Sequence, residues 1–307
     1  MMSERAAEAL VVPTPAKLNL FLEVLAKRPD GYHDLESLLV AVDLFDTLEF
    51  HADPSGALTL TCDDPGLSCG LDNLVLRAAT KLQAHTGCSA GARIHLTKRI
   101  PMQAGLAGGS SDAAATLNGL NRLWRLGLTR DDLARIGAEV GSDVNFFFAA
   151  PAAWCTGRGE KVERQALGRS FDFVLVCPGV GLSTAQVFRE VRVPERKADG
   201  TAIRAAVGRG DVEEIGRLLH NRLQEPAESL CPEVRSVRQA LTAAGPAGCL
   251  MTGSGSAVFA LCRDRPEAMR VASRLGAVVP NLSGRESQAP MDVPGSKWKL
   301  HVVRNCV

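Results

Sequence analysis

Apolar side chains recur at every second position from Ala16 to Leu25. Leu18, Leu20, Leu22 and Val24 share one face, while Lys17, Asn19, Phe21 and Glu23 share the other, which predicts a half-buried strand. The turn-forming run Lys27-Arg28-Pro29-Asp30-Gly31 ends it. Leu38–Phe50 and Ala57–Thr61 predict two more strands joined by a turn at Asp53-Pro54-Ser55-Gly56, and Arg93–Thr97 alternates as well. Elsewhere the period is that of a helix. Asp72-Asn73 signals the start of a helix that runs to His85 and stops at Gly87. Ala113, Leu117, Leu120 and Trp124 fall on one helical face, and Thr129 with Asp132 opens a helix carrying Leu133, Ile136 and Val140 inward.

The second half repeats this mixture. Phe171–Cys177 is a predicted strand ending at Pro178-Gly179. Helices are predicted from Ser183, over Val212–Leu223 and Pro232–Ala243, and from Pro266 to Leu275. A polar linker from Asn281 to Lys297 precedes a last strand, Trp298–Val303. Small and turn-forming residues gather between Ala152 and Gly159, so the boundary of two lobes is placed there, 1–157 and 158–307. Strands and helices in one chain of this kind predict an α+β protein.

Composition narrows the functional classes. With 307 residues, 46% of them hydrophobic, the chain can bury a large core divided between two lobes. A formal net charge of +1, signs mixed throughout and no basic run with interleaved aromatics argue against nucleic acid as a partner. The longest apolar run, Phe146 to Trp154, contains Pro151 and is too short to span a membrane. Met1 to Leu10 carries Glu4, Arg5 and Glu8, unlike a secretory signal. The nine cysteines form no C-x-x-C pair and no zinc-type spacing with histidine, as expected of reduced thiols in a cytoplasmic protein.

One stretch carries candidate chemistry outright. Pro101-Met102-Gln103-Ala104-Gly105-Leu106-Ala107-Gly108-Gly109-Ser110-Ser111 lies between a predicted strand and a predicted helix and holds three glycines and two serines. Glycines let the backbone approach a ligand, and the helix start offers unpaired N–H groups, which together suit phosphate. The alternative is a flexible loop whose helix is capped by Ser110 or Ser111. No lysine follows the glycines and no G-x-G-x-x-G occurs, so neither the Walker loop nor the dinucleotide fingerprint is present. Three other places are ambiguous on their own. Tyr32-His33 reads as a surface turn, Asp143 by position as a helix cap before Phe146-Phe147-Phe148, and Thr252-Gly253-Ser254-Gly255 as a hairpin bend.

The pattern P-x-x-x-G-L-A-G-G-S-S from Pro101 to Ser111 resembles the ATP-phosphate motif of the GHMP kinases, with Ala107 where many members carry glycine. Pro15-Ala16-Lys17-Leu18-Asn19-Leu20, Gly141-Ser142-Asp143-Val144 and Thr252-Gly253-Ser254-Gly255 resemble three further motifs, Ser142 and Asn145 departing from the second. Asp30-Gly31-Tyr32-His33 is similar to the segment marking one branch of these kinases. That branch performs ATP-dependent phosphorylation of the 2-hydroxyl of 4-diphosphocytidyl-2-C-methyl-D-erythritol in the non-mevalonate isoprenoid pathway. The resemblance implies two α+β lobes, S5-like and ferredoxin-like, with the site between them. It also implies Lys17 and Asp143 as the catalytic pair, residues 101–111 as the ATP loop, and Asn19, Tyr32, His33, Thr184 and Phe188 as substrate contacts. Tyr32 and Phe188 would sandwich the cytosine with His33 on its edge, and Mg²⁺ would use Ser110 or Ser111. The rivals are a GHMP kinase acting on mevalonate, homoserine or a sugar, and a non-catalytic ligand sensor on the same scaffold. The tyrosine–histidine turn and Phe188 favour a nucleotide-bearing acceptor, and the presence of both Lys17 and Asp143 counts against a sensor.

Overall fold

The computed structural model describes residues 9–276 and 290–306. The predictions for Met1–Leu10 and for the linker 281–297 fall largely outside them. β1 (Leu10–Lys27) and β2 (His33–Asp53) form one long antiparallel hairpin, closed by the Lys27–His33 pair. β1 is not half-buried, since Lys17 and Asn19 are 3% and 4% exposed and Glu23 is fully covered. Alternation reports only the face turned to the local core; the polar face of β1 is covered by distant parts of the chain. β3 (Leu58–Cys62) leads to α1 (Leu74–Thr86), capped by the Asn73 side chain on the Val75 N–H and ended by left-handed Gly87. β4 (Gly91–Thr97) pairs with β2. Then follow α2 (Gly108–Leu123), α3 (Arg130–Val140), with its Thr129–Asp132 capping box, and the short α4 (Val144–Ala149). Leu82, Leu117, Leu133 and Phe50 belong to the apolar layer that joins the first three helices to this sheet.

β5 (Ala152–Gly157) pairs with β2, and β6 (Lys161–Arg164) pairs with β5. The 157/158 boundary therefore falls inside a hairpin of the first sheet, and the glycines there make its turn. The sheets change after Arg164, at β7 (Asp172–Cys177). Next come α5 (Thr184–Glu190), α6 (Thr201–Arg209) and α7 (Val212–Leu218). The helix predicted over Val212–Leu223 stops at Leu218, because β8 (His220–Asn221) turns back to lie parallel to β1 at Phe21 and Leu22. α8 (Gln224–Leu230), α9 (Pro232–Ala243), β9 (Gly248–Met251), β10 (Val258–Cys262), α10 (Arg265–Arg274), β11 (Met291–Asp292) and β12 (Lys299–Arg304) complete the chain. The second sheet runs β11-β12-β7-β10-β9, and β8 closes the first along β3-β4-β2-β1-β8. Leu18, Phe21 and Leu38 of the first sheet share one buried cluster with Phe173 and Phe259 of the second. The two lobes are thus α+β layers welded along a common core, and that weld fixes the cleft above it.

Candidate active site

The glycine-rich loop is held from both lobes. The Lys17 N–H donates to the Leu106 carbonyl at 3.1 Å, the Ala257 N–H to the Ala104 carbonyl at 3.2 Å, and the Leu182 N–H to the Gln103 carbonyl at 3.3 Å. Gly105, at φ +77°, lies so close to the 252–255 turn that any Cβ there would collide with the Thr252 carbonyl oxygen. Ala107 closes the loop at φ +54°, a left-handed conformation that costs a non-glycine residue about 1–2 kcal/mol. α2 starts directly after it with no side-chain cap, and its first residues, Gly108, Gly109 and Ser110, line the cavity.

The two serines part company here. Ser110 lines the cavity together with residues 101–109. Ser111 is fully buried; its hydroxyl donates to the Pro15 carbonyl at 2.6 Å and bonds the Thr14 hydroxyl. Its backbone N–H already donates to the Ala107 carbonyl at 2.9 Å. Ser111 therefore fastens α2 to β1 and does not face the cavity, which leaves Ser110 as the hydroxyl in position to meet a metal or a phosphate.

Lys17 rises from β1 beneath the loop. Its Nζ donates to Asn19 Oδ1 at 2.6 Å and to the Gly105 carbonyl at 2.7 Å, and stands 3.9 Å from Asp143 Oδ2. Burial lowers the Lys17 pKa from its ordinary value, with the Asp143 charge opposing that shift. Asp143 occupies the cap position of α4 but makes no cap bond; its carboxylate, 39% exposed, turns to Lys17. Asn19 is fully engaged, since its Nδ2 donates to Ser37 Oγ at 2.8 Å and its backbone N–H to Thr252 Oγ1 at 3.0 Å. Asn19 lines the cavity beside Lys17, its Oδ1 accepting from the Lys17 ammonium.

At the aromatic end, Tyr32, His33 and Phe188 come together along the cavity. His33 stacks on Phe188 at 5.2 Å between ring centroids and 28° between planes. Tyr32 is more than half exposed and carries the Arg158 guanidinium 4.8 Å from its ring centroid. His33 opens β2 directly against α5, so its ring and not that of Tyr32 covers Phe188. Burial, then the Lys27 charge, pulls the His33 pKa below its usual value, which keeps the imidazole neutral at pH 7. Thr184 reaches the cleft through its hydroxyl, 2.8 Å from Ser254 Oγ.

At the opposite end Lys98 bridges two buried carboxylates, donating to Asp112 Oδ2 at 2.8 Å and to Asp46. Asp46 Oδ1 also accepts from the N–H groups of Arg99 and Ile100, pinning the strand that enters the loop. Burial pushes the Asp112 carboxyl up to about 7, against the pull of Lys98, and its Oδ1 has no partner among the described residues. Lys17, Asn19, Asp143, Ser110, Lys98, Asp112 and the Tyr32–His33–Phe188 rings line a single cavity of about 1080 Å³, large enough for two ligands side by side.

Comparison with known proteins fits this geometry. The model of the GHMP kinases N terminal domain matches residues 73–150, and that of the GHMP kinases C terminal matches residues 203–281. A 4-diphosphocytidyl-2-C-methyl-D-erythritol kinase of Brevibacillus brevis is 41% identical over 270 residues, covering 87% of this chain and 92% of its own. One from Pelotomaculum thermopropionicum is 42% identical over 261 residues, covering 84% and 91%. The chain belongs to this family of GHMP kinases. A crystal structure of 4-(cytidine 5'-diphospho)-2C-methyl-D-erythritol kinase superposes with a TM-score of 0.75 at 34% identity, covering 96% of this chain and 99% of that one. A homoserine kinase from Cytophaga hutchinsonii shares the fold, with a TM-score of 0.72 at 20% identity and coverage of 89% and 91%.

In this kinase, Lys98, Asp112 and Arg158 are cavity residues to which no motif pointed. Ser254 was within reach, because it sits inside the Thr252–Gly255 motif. A role for these loop glycines in holding ATP can be tested without disturbing the fold. A Cβ on Gly109 would meet only Leu74 Cδ1, at 3.4 Å, and its φ is ordinary. Gly109→Val is expected to weaken ATP binding by about tenfold or more in calorimetric titration, through loss of close backbone approach. Unchanged affinity would reduce these glycines to turn formers.

Proposed function

We propose that this chain transfers the γ-phosphoryl group of ATP to the 2-hydroxyl of 4-diphosphocytidyl-2-C-methyl-D-erythritol, in the non-mevalonate route to isoprenoid precursors. The observation that carries the reading is the meeting of three parts in one cavity: an open helix start behind a glycine loop, the Lys17–Asp143 pair, and the aromatic patch around Phe188. A sensor would need no carboxylate turned away from its cap position toward a buried lysine. Acceptors such as mevalonate or homoserine would leave the aromatic patch without a ligand.

The acceptor oxygen forms a bond to the γ-phosphorus as the bond to the bridging β,γ-oxygen breaks, and the hydroxyl proton passes to the Asp143 carboxylate. Lys17, aimed by Asn19 and the Gly105 carbonyl, stands 3.9 Å from that carboxylate and offers positive charge to the transferring group. The N–H groups at the start of α2 hold the phosphates. Mg²⁺ would supply charge neutralisation at the phosphate oxygens. Among the described residues no group of three or more His, Cys, Asp or Glu could hold a metal alone, so such an ion depends on phosphate oxygens, with the Ser110 hydroxyl as its protein partner. Among the described residues no helix is long and apolar enough to cross a membrane.

ADP release measured across a panel of acceptors tests the reading. The cytidylyl conjugate should be turned over, while mevalonate, homoserine and 2-C-methyl-D-erythritol 4-phosphate should be poor or inert, because remote binding energy helps to place the reacting end. Phe188→Ala and Tyr32→Ala should each raise KM for the conjugate about ten- to a hundredfold, given stacking losses of about 1–3 kcal/mol per ring. Equal turnover of the phosphate lacking the cytidylyl group would sink the assignment.

A further inference from the structure

Helical periodicity would carry α7 on to Leu223, yet the chain leaves the helix at Leu218 and forms β8, a strand of two residues. So short a strand is held from β1. The Arg222 N–H donates to the Leu22 carbonyl at 2.9 Å, and its guanidinium donates to both oxygens of the fully buried Glu23, at 2.7 and 2.8 Å. What this anchor sets in place is the amide of Asn221.

Asn221 is buried and uses its whole hydrogen-bonding capacity on the chain. Its Nδ2 donates to the Met251 and Gly253 carbonyls, each at 2.8 Å, so it grips the backbone on either side of Thr252. Its Oδ1 accepts from the Leu223 N–H at 2.9 Å. Beside it, Gln224 Oε1 accepts from the Met251 N–H at 3.0 Å. A primary amide presents two donors and an acceptor in one plane, the set that this turn asks for.

The backbone held in this way faces the Lys17 ammonium. Thr252 Oγ1 accepts from the Asn19 N–H at 3.0 Å, and it lies 3.3 Å from Asn19 Oδ1 and 3.5 Å from the Gly105 carbonyl oxygen. Those are the two oxygens to which Lys17 donates. Gly253, at φ +56°, comes so near that a Cβ there would stand 3.0 Å from Lys17 Nζ. The height of the 251–253 backbone over β1 therefore sets where the ammonium points.

Resting on the kinase reading above, we propose that Asn221, with Gln224, is a positioning residue for phosphoryl transfer. It clamps the 251–253 backbone so that Thr252 and Gly253 keep Lys17 in line with the transferring group. Asn221 and Gln224 lie outside the cavity lining, so both act through the turn. β1 carries Lys17 and Glu23 alike, so one strand bears the ammonium and anchors its clamp.

Two variants test the clamp. Asn221→Asp keeps the acceptor for Leu223 and puts an oxygen against two carbonyls, whereas Gln224→Leu frees only the Met251 N–H. kcat, KM for the acceptor and amide exchange of residues 252–257 are measured below the melting temperature of every variant. Asn221→Asp should lower kcat about ten- to a hundredfold, the scale of a displacement of about 1 Å, with KM within about threefold of wild type. Exchange over 252–257 should quicken about tenfold or more. Gln224→Leu should show the same split with a kcat loss of about three- to tenfold. A folded Asn221→Asp with kcat within about threefold of wild type overturns the proposal. So does a lower melting temperature with both kinetic constants unchanged, because Asn221 would then serve the fold alone. If Asn221→Asp does not fold, Gln224→Leu decides, and an unchanged kcat overturns the clamp. Were wild type to release no ADP with the cytidylyl acceptor, the kinase reading would fail, and amide exchange would still decide for or against the clamp.

Discussion

Asp143→Asn is expected to lower kcat by about 10²–10⁴, the usual contribution of a positioned general base. The amide keeps the shape of the carboxylate but cannot take the hydroxyl proton, and it removes the charge 3.9 Å from Lys17. The fold has little reason to respond. Asp143 stands at the start of α4 without making a cap bond, and its side chain is more than a third exposed. Melting temperature and ATP affinity should therefore hold while kcat collapses, a pattern that separates a base from a structural cap. A kcat within about threefold of wild type would return Asp143 to the role its position suggests.

Lys17→Met should be comparably damaging to turnover and should also weaken the fold. Loss of one preorganised donor at a developing charge typically costs about 10²–10³ in kcat. The methionine would in addition leave Asn19 Oδ1 and the Gly105 carbonyl with only the single Thr252 hydroxyl proton between them, at about 1–3 kcal/mol for the one left unsatisfied. The pH profile gives a second readout. Burial lowers the Lys17 pKa, so its positive charge is lost at a pH below that of an ordinary lysine, near 10.4. Wild-type kcat should accordingly fall on the alkaline side earlier than an exposed lysine would dictate. The residual activity of Lys17→Met should lack that limb, and a limb that persists would assign it to another group.

The parts of the site legible in the sequence were those that act through the backbone. The glycine-rich loop stood out because close backbone approach needs glycines at set places, and no side-chain partner is required to see it. Side-chain direction was harder. Ser110 and Ser111 are neighbours in a pattern of letters, but the helix starts at Gly108, and one residue of rotation sends Ser111 into the Pro15 carbonyl. Alternation made β1 a half-buried strand because the cover on its polar face comes from Thr252 and β8, more than 190 residues further along. The same distance hid the end of α7, where β8 pairing overrides helical periodicity. Lys98, Asp46 and Asp112 are separated by 52 and 14 residues and have no spacing rule to betray them. Asp143 was ambiguous for a different reason: it does occupy a cap position, and only the direction of its carboxylate distinguishes the two roles.

The seam between the 103–106 loop and the 252–257 turn bears on how nucleotide is received. Its backbone hydrogen bonds, and the contact that only a glycine at 105 permits, are made entirely between parts of the chain itself. Ordering a flexible loop upon binding would subtract about 1–2 kcal/mol per residue from the affinity. In this chain that entropy is surrendered during folding, together with the left-handed strain at Ala107. On the proposed reading, the phosphates of ATP would meet a loop already braced by the chain, and most of their interaction energy would remain available for holding and reacting.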